Sequence, residues 1–207
     1  MSLAQRLLND KELDLAKHLN VILMDNSYNS GSFICDIIPA YWETVGDRQR
    51  TIDPDGIYRP LYYVHQYGGL RDFHNHTRTF MANLSGHLEG CLLQLTPSPP
   101  KFRTPHKPYG GLVKELSESG ILLNDLATDL WQFNQAINVP SKHFNAYHPT
   151  QWLDVRTFGV EEASCAFVLT RHLSIQLFDL LSSRGVALPH QWPPFKDGWL
   201  TWSPSID

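Results

Sequence analysis

The chain has 207 residues, 42% of them hydrophobic and only 18% charged, which excludes bulk disorder and any need for disulfide or metal staples. Seventeen Lys and Arg against 21 Asp and Glu give a net charge of −4, which excludes a global basic field for nucleic acid while leaving room for a local patch. Cys35, Cys91 and Cys165 are far apart and lack CxxC spacing, so they make no disulfide framework.

In chain order, residues 3–24 carry Leu3, Leu7, Leu8, Leu15, Leu19, Ile22 and Leu23 near 3.6-residue spacing, which predicts helix. A break falls at Asn9-Asp10, where Asp10 can cap the second part. The turn-forming run 25–32 ends this unit. Over 33–45, Phe33, Ile34, Ile37, Ile38, Tyr41 and Trp42 suit one face of a short helix that contains Pro39. Residues 46–69, rich in Gly, Pro, Asp and Tyr, read as a long ordered loop.

A long helix follows over 71–96, stopped by Pro97, Pro99 and Pro100. The next helical region is 111–138, with a break at Gly120 and a clean stripe of Leu123, Leu126, Leu130, Phe133 and Ile137. Pro140 and Pro149 bracket a polar loop. From 160 to 184 apolar residues cover nearly all sides, which marks the central buried helix. The tail 186–207 holds Trp192, Trp199 and Trp202 with four prolines, and suits a strap across the protein's own core. No strand–helix–strand alternation occurs. The pattern predicts an all-α, single-domain helical bundle with long loops and an extended Trp/Pro-rich tail.

Met1–Arg6 lacks a basic-then-apolar leader, and no uncharged apolar run approaches the roughly 20 residues needed to span a bilayer. The expectation is a cytoplasmic protein with no membrane partner. The chain carries no phosphate-binding GxxxxGK[ST] loop, no GxSxG elbow and no HExxH helix, so no motif names a cofactor.

Ten histidines are the chemical excess. Four of them gather in Arg71-Asp72-Phe73-His74-Asn75-His76 and in Lys142-His143-Phe144-Asn145-Ala146-Tyr147-His148. On a helical wheel His76, Asn83 and His87 line the edge of the apolar arc of the 71–96 helix. A bundle buries polar groups together, so this seam is expected to meet the 142–148 loop. Such a centre has imidazoles for proton transfer (His76, His87, His143), with Arg71 or Lys142 to hold an anion and Asn83, Asn145 and His148 beside them. Arg171, midway along the central helix, either crosses to a carboxylate such as Glu89 or Asp129 or binds a substrate anion.

Three functions follow. A metal site would draw on Asp72 with His74 or His76 and on His143 or His148. Metal-independent RNA cleavage would use Arg for the phosphate and His as acid or base. A non-catalytic ligand-binding or interaction bundle would use its histidines structurally. The helix–loop–helix layout, Lys142-His143 ahead of the buried helix, and the spacing from Arg71 to His76 with polar Asp72 following the Arg resemble HEPN helical bundles. Arg59 to His65 has similar spacing. The resemblance implies a protein that binds or cleaves RNA or a nucleotide. A basic surface around Arg71, Arg78, Lys101, Arg103 and Lys107 would favour that function.

Overall fold

A computed structural model describes residues 2–25, 29–39, 42–45, 48–51, 56–97, 107–142 and 158–203. The fold is all-α, with one two-stranded ribbon among the described residues. Helices α1 (Leu3–Leu7) and α2 (Asp10–Met24) meet at a cap formed by Asn9 rather than Asp10. The Asn9 side chain accepts from the Glu12 amide at 3.0 Å, and Glu12 accepts from the Asn9 amide at 3.1 Å. This reciprocal pair needs a side chain one residue outside the helix, and Asp10 is already inside it.

Helix α3 (Asn29–Ile37) begins earlier than its apolar residues suggest and stops before Pro39. The anticipated helix over 33–45 therefore fails at its second half. Strands β1 (Trp42–Val45) and β2 (Arg48–Thr51) pair antiparallel there, with Trp42 opposite Thr51 and Val45 opposite Arg48. The expected loop over 46–69 contains that second strand and also α4 (Arg59–Gly68), whose Pro60 occupies the first turn, where no intrahelical donor is needed.

The 71–96 helix starts late. A 3₁₀ turn at Phe73–Asn75 precedes α5 (Thr77–Leu95). Helix α6 (Tyr109–Glu118) ends at Gly120, whose φ of +69° reverses the chain. Helix α7 (Asn124–Phe133) runs into a π-helical turn, Asn134–Asn138, and then α8 (Val139–Lys142). The central helix α9 (Val160–Ser183) matches its expected span.

Helix α9 packs between α5 and α2, and α4 lies on α5. Phe80 of α5 and Phe167 of α9 stack at 6.3 Å, and both are fully buried. The tail, over residues 186–203, lies on this body and buries Trp192 and Trp199. It is held by backbone carbonyls: Tyr58 donates to His190 O at 2.8 Å, Arg171 to Pro193 O at 2.9 Å and His18 to Trp202 O at 2.8 Å. Lys11 adds an ion pair to Asp197 at 2.7 Å. Among the described residues no helix is long and apolar enough to cross a membrane.

Candidate functional site

The chemistry-bearing side chains concentrate at the corner where α4 turns into α5. Arg71 and Asp72 are exposed on the connecting turn, and His76 sits at the entry to α5. The Asp72 carboxylate lies 3.4 Å from His76 Nε2. Desolvation opposes ionisation of Asp72, yet its own backbone amide, His76 and Asn75 outweigh that and hold its carboxyl below the ordinary range. The His76 ring packs on Tyr67 of α4 at 5.5 Å. An imidazole braced by a carboxylate on one nitrogen and an aromatic ring on one face is oriented.

The next two residues of α5 grip distant chain. Thr77 donates to Phe158 O at 2.7 Å, and Arg78 donates to Ser141 O at 2.8 Å and Pro140 O at 2.9 Å. Lys142 pairs with Glu89, also on α5, at 2.5 Å. Thr77 and Arg78, neighbours on α5, thus hold the backbone at Phe158 and at Pro140–Ser141. His143, Asn145 and His148, expected in the same site, lie outside the described residues, as do Lys101 and Arg103. Lys107 pairs with Glu115 of α6 at 3.2 Å.

His87 belongs to a different environment. It is completely buried, and Nδ1 donates to Ile57 O at 2.7 Å. Phe178 and Trp192 flank the ring at 5.8 and 5.7 Å. Desolvation pushes its pKa down to about 4 against the opposing pull of the Ile57 bond, so it is a neutral core side chain. Gly90, one turn on, lets residues 56–57 come this close, because a Cβ there would sit 2.5 Å from Gly56 O. Eleven residues separate His76 from His87, a rise of about 16 Å at 1.5 Å per residue. The wheel aligned the two in angle but not along the axis, and Asn83 between them bonds its own helix at Thr79 O, 2.8 Å away.

Arg171 does cross to a carboxylate, but to neither expected one. Glu89 is held by Lys142, and Asp129 by Arg6 at 2.5 Å. Arg171 instead faces Glu12 at 4.0 Å, donates to Pro193 O and lies 5.6 Å from the Trp199 ring. His172 approaches the same Glu12 oxygen at 3.2 Å. Burial raises the Glu12 pKa, but the His172 bond, the Asn9 amide and Arg171 together bring it below its ordinary value. This triad ties α2, α9 and the tail together.

Among the described residues no three His, Cys, Asp or Glu side chains could share a metal ion. The residues that sequence reasoning passed over are the α4 tyrosines and the polar pair Asn134 and Asn138 within the π turn. No protein-family model, curated protein or solved structure matches the chain.

Proposed function

We propose that the α4–α5 corner binds RNA or a nucleotide and acts on its phosphate without a metal, in the manner of the HEPN bundles that the chain resembles. The observation that carries this reading is the Asp72–His76 pair at 3.4 Å, with Arg71 beside it on an exposed turn. The outer face of α4 supports it. Arg59, Tyr63 and Gln66 are exposed there, with Tyr67 leading to His76. No acidic residue occurs from Gly56 to Arg71. Cations interleaved with tyrosines suit phosphates and stacked bases.

In this mechanism Asp72 orients the imidazole, and His76 accepts the proton of a ribose 2′-hydroxyl as that oxygen attacks phosphorus. Arg71 holds the non-bridging oxygens, and water supplies a proton to the departing 5′-oxygen. The test is cleavage of a labelled single-stranded RNA beside its 2′-deoxy analogue. Cleavage of the first alone supports the reading. If neither is bound nor cleaved, the reading is wrong.

A second reading, a non-catalytic interaction bundle, draws on a different place. Between α6 and α7 lies an open groove of about 440 Å³ lined by Val113, Lys114, Ala127, Thr128 and Trp131. Trp131 is 46% exposed on this groove, a large apolar side chain left open to solvent beside a concave surface. Tryptophan emission that shifts on adding a partner, and is silent in Trp131→Phe, would identify that use.

A further inference from the structure

The groove between α6 and α7 is built in three rungs. At one end a Cβ on Gly110 would sit 3.2 Å from the Trp131 ring, so glycine lets the indole close on the α6 backbone. This contact joins the start of α6 to the end of α7, which makes the two helices antiparallel. One turn toward Gly120 on each helix, Val113 and Lys114 therefore stand opposite Ala127 and Thr128. A further turn sets Ser117 opposite Asn124. Val113 and Ala127 are buried and form the apolar floor. Thr128 donates its hydroxyl to Asn124 O at 2.8 Å, within its own helix. Among the described residues Lys114 is the only charged side chain that lines the groove.

We propose that this groove binds a small aryl carboxylate, its ring against Trp131 over the Val113–Ala127 floor and its carboxylate on Lys114. The inference rests on the reading of the groove as an interaction surface, and it commits that surface to a small molecule. A volume of about 440 Å³ falls in the range of small-ligand sites. From Asn124 to Trp131 the helix rises only about 10 Å, short for a docked partner helix. Lys114 stands one turn, about 6 Å, along α6 from the Gly110–Trp131 contact, a spacing that a two-carbon link between ring and carboxylate spans. Lys114 lies 3.8 Å from Glu118, with both side chains about 70% exposed, so this pair is weak enough to yield to a ligand. Glu115, the other acid on that helix, is held by Lys107 at 3.2 Å. An aromatic wall, an apolar floor and one cation in line complement an aromatic ring that carries a single negative charge.

The experiment is a titration of the full chain with 3-phenylpropionate and, separately, with its neutral amide, 3-phenylpropionamide. Binding is followed through the indole N–H resonance of Trp131, identified as the one missing from Trp131→Phe. Saturable shifts are expected with the carboxylate, and binding about fivefold weaker with the amide, the difference that one exposed charge pair supplies. Lys114→Gln, a change at an exposed position, should erase that preference and leave the melting temperature unchanged. Equal affinity for both probes in the wild type would overturn the carboxylate assignment while leaving the groove an interaction surface. A preference that survives in Lys114→Gln would overturn the role of Lys114. No saturable shift with either probe would overturn the site; the emission test with a protein partner would then still decide the interaction reading by itself.

Discussion

His87 on α5 donates to the backbone carbonyl of Ile57 at 2.7 Å, and through that bond the segment leading into α4 is fastened to the core. The bond needs a neutral imidazole protonated at Nδ1. Unfolded, this histidine takes up a proton near pH 6.5; folded, it resists until about 4. Stability from this group is therefore complete above pH 6.5 and falls as pH drops between 6.5 and about 4, by about 3 kcal/mol in all. Denaturant melts across that range should show the loss, and His87→Gln should flatten it. Glu12 acts lower, since its depressed pKa lets it contribute above its unfolded value near 4.5 and lose that contribution as pH falls further.

His87→Ala is expected to cost about 2–4 kcal/mol, through the lost bond and the cavity between Phe178 and Trp192. This reverses what the wheel alone suggests, namely lost activity with an intact fold. A variant that melts like the wild type would return His87 to the list of site residues.

Arg171 and Glu12 form a buried pair that also braces the tail. Removing Arg171 leaves Glu12 with His172 and the Asn9 amide as partners, so Arg171→Met should destabilise by about 1–3 kcal/mol, and Glu12→Gln in the same background should add less than it does alone. A double-mutant cycle reads the coupling directly. Additive effects would mean that the 4.0 Å approach contributes nothing.

Deletion of 186–207 should lower the melting temperature of the monomer, because Trp192 and Trp199 lose their buried places and the Arg171 guanidinium loses Pro193 O. If only self-association changed, the tail would be a partner-binding segment and not a strap.

Legibility of the fold tracked apolar periodicity. Helix α9 was legible to the residue at its start because its apolar side chains are continuous and Gly159 precedes them, with Glu162 accepting from the Gly159 amide at 2.9 Å. Helix α4 was not, because only Leu61, Val64 and Gly68 face inward, while Tyr, Pro and Gly composition imitates a loop. The ribbon at 42–51 hid behind aromatic residues that also fit a helix face. Arg171 announced that it needed a carboxylate, but the choice of Glu12, 159 residues earlier, is set by how α2 docks on α9, which no local pattern encodes. The Asp72–His76 corner was legible as a cluster of residue types. That it lies on a turn before α5, with Thr77 and Arg78 bonded to Phe158 O and Ser141 O, was not.

Arg78→Lys should separate those roles. Lysine retains the charge but cannot bridge Ser141 O and Pro140 O together, so nucleotide or RNA turnover should fall about tenfold or more while the helical spectrum stays unchanged. Unaltered turnover would mean that the α5–α8 clamp does not serve the corner.

The most direct measurement is cleavage of a labelled single-stranded RNA by wild type and His76→Ala, with circular dichroism on both. Loss of a general base predicts a fall of at least about 100-fold for the variant at an unchanged helical spectrum. Equal cleavage by both proteins would contradict the assignment of the Asp72–His76 corner as the reacting site.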